Sequence, residues 1–344
     1  MKKTINKTIP LIIMVFALLI VLKPQTCLSY ALRGVLICGN VIIPSIFPFT
    51  FCVIFINNSG VLSYMRRIDK LSKTVFGLSY YELAIFLISL VGGYPIGAKM
   101  LKNEKIKKAD IMINYCVNAG PAFVVLAIGK GVFKSVVIGW VLFASHILSS
   151  VLLMLILSNK AKKITPQTTR KTPTGAVENF VISSADAADT VIKICGLVIL
   201  FSVINGYIQL LSTLLPPIKF LGLLCEVTNA VINTKNILTV SFLLGFGGFS
   251  IWAQVFAFLK ETKINYFNFI AFRMLHGIFS AAITYLLIKI LKPKVYTLSN
   301  GIKFSAESFI NSPAVAISLI IMGIVLIISL YTKNYAGNLR EDIV

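Results

Sequence analysis

Long apolar runs constrain this chain more than any other feature. Stretches near 8–23, 31–56, 109–129, 134–158, 188–212, 267–290 and 310–332 approach the length needed to cross a hydrocarbon core of about 30 Å as a helix. Backbone polar groups have no water to bond at that depth, so each run must satisfy its own hydrogen bonds, and a helix does so. The expected fold is therefore an all-α polytopic membrane protein. Composition agrees: 57% of residues are hydrophobic and 13% charged, with a mean hydropathy of +0.88, whereas soluble domains are about a quarter charged.

The net charge of +21 raises nucleic acid as a partner, so the placement of the 33 basic residues decides. They lie mostly between the apolar runs, with no basic stripe interleaved with aromatics, and no nucleic acid is expected. The six cysteines stand singly, mostly inside apolar runs, and read as buried free thiols. His146 and His276 are far apart in sequence and have no neighbouring carboxylates or thiols, which argues against zinc or a histidine-based catalytic pair. With no paired acids or nucleophile motif inside the runs, no enzyme, cofactor or metal is expected.

Lys2 and Lys3 before an apolar stretch resemble a signal peptide, but no small-residue cleavage site follows, so an uncleaved helix in residues 1–29 is expected. A basic, proline-containing linker at 159–187 divides the rest into 30–158 and 188–332, followed by a polar tail at 333–344. Each half holds an apolar stretch broken by glycine, 79–98 and 236–258. The motif G-G-Y-P-I-G-A-K begins at Gly92, and G-G-F-S-I-W-A-Q begins 155 residues later at Gly247. Ile37-Cys38-Gly39 recurs as Ile194-Cys195-Gly196, and Lys105-Ile106 as Lys263-Ile264, at nearly the same offset. This order predicts an internal duplication.

Charge sets the orientation. Arg66, Arg67, Lys70 and Lys73 precede segment 79–98, and Lys99, Lys102, Lys105, Lys107 and Lys108 follow its tip, so both flanks read as cytoplasmic. A segment with both ends on one side goes in and returns. With 79–98 and 236–258 both re-entrant, each half keeps three spans, and the second half is inverted relative to the first. Inverted repeats with interruptions at matching places are the sequence pattern of a secondary transporter whose site lies where the interruptions meet. Broken backbone is tolerated at membrane depth where it is buried in protein or faces a watery cavity, so the glycines are read as a solute cradle. Close helix packing is the alternative use of such glycines, but it explains neither Pro95 nor the recurrence.

Other candidates follow from chemistry. Asn118, Gly120 and Pro121 weaken the helix at 109–129 and free carbonyls near Cys116 and Val117 for a ligand; a simple proline kink is the alternative. Arg273 inside a span costs at least about 2.5 kcal/mol unless paired or hydrated, so it is read either as a solute contact or as a snorkelling side chain. Lys99 and Gln254 hold matching places after the two tips, and Lys99 would suit an anionic solute. Glu226 and Asn229 precede the second break, with a solvated outer loop as the alternative. Asp186 and Asp189 read as caps at the start of helix 188–212.

The motifs G-G-Y-P-I-G-A-K, N-A-G-P-A-F, L-C-E-V-T-N and G-F-G-G-F-S-I-W-A-Q together resemble the YlbJ-like sporulation integral membrane proteins, which carry the Gate or nucleoside-recognition domain. The resemblance covers about 30–290 and departs at Gly93, where serine is more usual, and at Trp252, where histidine is common. It implies a fold related to the concentrative nucleoside transporters, with paired re-entrant hairpins, and transport of a small anionic solute such as dipicolinic acid across the outer forespore membrane. Transport of a nucleoside and a non-transporting sporulation scaffold are the alternatives. Carried over by motif, the substrate region comprises Gly92, Gly93, Tyr94, Pro95, Gly97 and Lys99; Asn118, Gly120 and Pro121; Glu226 and Asn229; and Gly247, Gly248, Phe249, Ser250 and Gln254, with Arg273 beside them. The expected partners are the lipid bilayer, a small-molecule solute and a second copy of the chain. The residues leave a coupling ion, sodium or proton, open.

Overall fold

The computed structural model describes residues 2–103, 105–162, 175–234, 236–260 and 264–291, and all regular structure among them is helical. The expected helix 310–332, the tail 333–344 and the linker stretch 163–174 lie outside the described residues. Helix α1 (Lys2–Leu22) is followed after a single residue by α2 (Pro24–Asn58), so residues 24–29 already belong to α2. A π-helical stretch, Cys38–Ile42, precedes Pro44 and Pro48 in α2. Each proline lacks an N–H donor, and a widened turn absorbs the lost bond.

After a 3-10 segment, Val61–Ile68, and α3 (Asp69–Phe76), the chain bends by 85° into α4 (Tyr80–Gly92). Ser79 caps α4: its side chain accepts from the Glu82 N–H at 3.2 Å, and Glu82 accepts from the Ser79 N–H at 2.7 Å. Gly93, at φ +89°, ends α4, and α5 (Tyr94–Asn103) follows with Pro95 in its first turn, where no donor is lost. Lys108, just beyond α5, donates to the Gly77 carbonyl and lies 3.4 Å from Glu82 Oε2. Both partners stand at the start of α4, so the segment enters and returns to the same end.

The expected helix 109–129 is two pieces. A short α6 (Ala109–Met112) gives way to turns and extended backbone, and the π-helical α7 (Ala122–Val132) starts after Pro121. Helix α8 (Val136–Lys162) then runs back, placing Lys162 against Gly77.

Helix α9 (Ala176–Leu211) begins well before residue 188, because the mixed polar and apolar residues 176–187 continue the helix. Asp186 and Asp189 are therefore interior residues and cap nothing; Asp189 pairs with Lys193 at 2.5 Å. A second, shorter hairpin follows: α10 (Lys219–Cys225) and α11 (Val227–Asn233), with Glu226 at the tip. Gly222 of α10 stands against Asn205 and Gln209, near the far end of α9.

Segment 236–258 departs from expectation. Helices α12 (Ile237–Phe246) and α13 (Gly248–Phe258) run on as a 22-residue apolar stretch beside α14 (Tyr266–Leu291). Ser241 pairs with Ser280 and Thr284 at 2.8 Å, Trp252 packs on Phe269, and Phe256 packs on Tyr266, an antiparallel order kept along the whole length. The Gly247 N–H still bonds the Leu243 carbonyl at 2.8 Å, so the left-handed glycines at 247 and 248 interrupt the helix without reversing it. The two glycine motifs thus hold different places, one at a hairpin tip and one inside a traversing helix.

The main core joins the first hairpin, the broken stretch around 112–128, and α8, α12, α13 and α14. Beside it, α2 packs on α9 through Ile37, Cys38, Ile42, Ile194 and Val198, so the two Ile-Cys-Gly words meet in space and Cys38 Sγ lies 3.6 Å from the Cys195 carbonyl. All six cysteines are free thiols.

Candidate functional site: a cavity between broken helices

Four interruptions converge inside the bundle: the Gly93 tip, the non-helical stretch 117–120, the Glu226 tip and the break at Gly247-Gly248. They pack in pairs. A Cβ on Gly120 would lie 3.1 Å from the Val91 carbonyl, and one on Gly248 would lie 3.0 Å from the Leu224 carbonyl, so each hairpin tip rests against a broken span. Gly97 is tighter still: a Cβ there would come within 1.9 Å of the Cys116 carbonyl.

Between the tips lies a cleft, open in part to its surroundings, walled by Ile42, Ser45 and Phe49 of α2, Gly92 to Pro95, Gly120, Ile194 and Val198 of α9, Glu226 to Thr228, and Gln254. Its wall is mostly apolar with a few polar groups, the usual make-up of a small-molecule site. At Gly93 a Cβ would meet nothing within 4 Å, so this backbone faces open space. Gln254 is only 2% exposed, and neither its Nε2 nor its Oε1 has a partner. A buried amide left unpaired on both atoms costs about 1–3 kcal/mol per group. Glu226 is buried, and its carboxylate accepts from the N–H groups of Thr228 at 2.9 Å and Asn229 at 2.6 Å, capping α11. Of the residues lining the cavity it is the one carboxylic acid, and none is basic. The solvated-loop alternative for Glu226 and Asn229 is thereby set aside; Asn229 Nδ2 also donates to Ser202 at 2.9 Å.

The remaining candidates brace the elements around the site. Arg273 is fully buried, so it does not snorkel. Its Nη1 donates to the Val117 carbonyl at 2.7 Å, its Nη2 to the Gly245 carbonyl, and its Nε to the Phe246 carbonyl at 3.4 Å. Of the carbonyls expected to be free for a ligand, that of Val117 is thus taken by the guanidinium. Tyr94 donates to the Leu244 carbonyl at 2.9 Å and Trp252 to the Phe246 carbonyl at 3.0 Å, completing the end of α12. Asn118 donates to Ser89 and to the Tyr115 carbonyl, leaving its Oδ1 unpartnered. Phe249 packs on Phe246 and Trp252, and Ser250 is buried with its hydroxyl unpartnered. Pro121 starts α7.

Lys99 does not reach this cavity; it is bound to Asp186 and Thr190 of α9. Nothing local in the sequence pairs those residues. His146 and His276 are brought together, with rings stacked at 4.5 Å, although they are far apart in the chain. His146 Nε2 accepts from the Ala119 N–H at 2.9 Å, which fixes its proton on Nδ1, and His276 Nε2 donates to the His146 carbonyl at 3.1 Å. The Nδ1 atom of each ring is buried without a partner.

No protein-family model matches the chain, and no solved structure matches it. Among curated proteins, "Sporulation integral membrane protein YlbJ" of Bacillus subtilis (strain 168) is similar, at 23% identity, covering 78% of this chain and 79% of that relative. The YlbJ-like resemblance read from the motifs is borne out, and the chain is homologous to a sporulation integral membrane protein. With five helices long and apolar enough to cross a bilayer among the described residues, it is a multi-pass membrane protein.

Proposed function

We propose that the chain carries a small, neutral, hydrogen-bonding solute across the membrane through the cavity between the two hairpin tips. The observation that carries this reading is Gln254, a buried amide on the cavity wall with donor and acceptor both unsatisfied. A solute presenting a complementary donor and acceptor would supply the missing partners.

The order of elements supports inverted repeats in a register different from the motif offset. A long helix, a hairpin, a broken span and a long helix occur as Pro24–Asn58, 80–103, 109–132 and Val136–Lys162. The same series follows as Ala176–Leu211, 219–233, 237–258 and Tyr266–Leu291, its hairpin coming from the opposite end. His146 and His276 each lie ten residues beyond the start of their helix, and their stacking suits a pseudo-two-fold axis between α8 and α14.

Of the solutes that the resemblance implies, the wall favours the nucleoside class over a dianion such as dipicolinate. Lys99 and Arg273 are engaged elsewhere, and the lining contributes a carboxylate and no basic residue. The relative's name places it in sporulation; for this chain we place the activity in a membrane of the sporulating cell, a location that a fluorescent fusion would test.

Uptake by proteoliposomes is the direct test. Nucleoside uptake abolished by Gln254→Ala, in a protein of unchanged elution volume, supports the reading. Uptake of dipicolinate with no competition by nucleosides would replace the solute class. No uptake of either, together with tolerance of Gly93→Leu in a sporulation assay, would favour the scaffold.

A further inference from the structure

The central cavity continues in two directions, and the structure closes only one of them with charge. Toward the end marked by Lys134, a second space opens among Asn40, Val41, Gly131, Lys134, Phe123 and Thr228. Phe123 and Thr228 also line the central cavity, so a single layer of side chains separates the two.

Toward the opposite end, the walls continue along single helix faces. On α2, Ile42, Ile46 and Phe49 line the central cavity, and Val53 and Asn57 line a third, small space. Spacings of three and four residues place all five on one face. On α9, Asp186 lines that third space, while Ile194 and Val198 line the cavity, with Thr190 between them at the same four-residue spacing. On α5, Tyr94 and Pro95 face the cavity, and Ile96 and Lys99 face the third space.

A polar cluster stands across this route. Lys99 Nζ donates to Asp186 Oδ1 at 2.5 Å, to Thr190 Oγ1 at 2.6 Å and to the Asp186 carbonyl at 3.2 Å. The lysine side chain is 7% exposed and the aspartate 36%. The cluster ties the returning arm of the first hairpin to α9. It lies at the end where Arg66, Arg67, Lys102, Lys105, Lys107 and Lys162 collect, the cytoplasmic end by the positive-inside rule.

We infer that Lys99 and Asp186 form the cytoplasmic gate of the cavity, shut in this structure. An ion pair suits that task better than an apolar seal: when the arm swings away from α9, water solvates both charges, so the open and shut states differ little in free energy. Thr190 serves as a hydroxyl partner that aligns the ammonium in the shut state. The inference rests on the transport reading for its purpose, but its test reads access and needs no solute.

A cysteine introduced at Ile96, which lines the third space, reports access from the cytoplasmic side to a membrane-impermeant maleimide, with the otherwise unaltered chain as background. Labelling in inside-out vesicles is expected to rise about tenfold in Lys99→Met and Asp186→Asn, the shift produced by losing about 1.4 kcal/mol of shut-state preference. The exchanged pair Lys99→Asp with Asp186→Lys should restore the low value. Unchanged labelling in both single variants, or increased labelling from the Lys134 side alone, overturns the gate. If a variant does not fold, hydrogen exchange in the unaltered protein decides: amides of 94–103 and 183–190 should exchange through a sub-global opening faster than those in the middle of α8, and equally slow exchange overturns the gate. A gate that responds while no solute is taken up would leave the gate standing and refute the transport reading.

Discussion

Arg273 Nη1 donates to the Val117 carbonyl at 2.7 Å, joining the middle of α14 to the break that precedes α7. The same guanidinium reaches the Gly245 and Phe246 carbonyls ahead of the Gly247 break. One planar, always-charged fork thus satisfies carbonyls from two interruptions that lie far apart in the chain. Replacing it by alanine leaves these groups buried and unpaired at about 1–3 kcal/mol each. Arg273→Ala should therefore lower the thermal midpoint in detergent by several degrees, and Arg273→Lys should restore only part of it, because an ammonium lacks the fork. A midpoint within a degree of the parent protein in both variants would refute the stapling role.

Gly93 and Gly97, four residues apart, should respond in opposite ways. A methyl at Gly97 would meet the Cys116 carbonyl at 1.9 Å, so Gly97→Ala forces the hairpin arm from its neighbour and should reduce the yield of folded protein sharply. At Gly93 the methyl has room, and the cost is the backbone at φ +89° and ψ 170°, a region held almost only by glycine, about 1–3 kcal/mol. Gly93→Ala should fold, and Gly93→Leu should fold while blocking uptake. Size-exclusion yield and uptake, measured on the same preparations, separate the two sites.

How far the sequence reaches is visible at these positions. The Gly-Gly-Tyr-Pro word between two basic flanks marked the first hairpin tip, since a left-handed residue followed by a proline start is a local signal. The break at Gly247 was equally local, but whether the helix reverses there depends on packing along α14, which no nearby residue records. The second hairpin stayed hidden because each arm is seven residues long, too short for an apolar run to register. The start of helix α9 is hidden because the mixed residues 176–187 follow directly on a basic linker, and what holds them, the bond from Lys99 to Asp186, comes from a distant part of the chain. Arg273 stood out as an intramembrane charge, yet its partners are backbone carbonyls, to which a side-chain pattern is blind.

Gln254 should show a trade between stability and function. Its amide is buried and unpartnered, so Gln254→Leu removes a desolvation cost and should leave the thermal midpoint unchanged or raise it, by about 1 kcal/mol of stability. Solute-induced stabilisation should disappear in the same variant. A fall in the midpoint without solute would show that the amide has a structural partner, and retained solute stabilisation would remove it from the binding wall.

The base of the first hairpin rests on a fully buried ion pair, Lys108 with Glu82 at 3.4 Å, both side chains at 0% exposure. Glu82 also accepts from the Ser79 N–H, and Lys108 donates to the Gly77 carbonyl, so the pair fastens the returning end of the hairpin to its start. Attraction in such a site roughly offsets desolvation, so the pair as a whole adds little net stability, but deleting one member strands the other. Lys108→Met should therefore cost about 3–5 kcal/mol. The double variant Lys108→Met with Glu82→Gln should recover much of that, because no unpaired charge remains and the neutral amide can still meet the Ser79 N–H. Thermal unfolding of the three proteins gives the coupling directly. Additive losses would mean that the two charges stabilise the hairpin independently, and the fastening role would then belong to the Gly77 carbonyl alone.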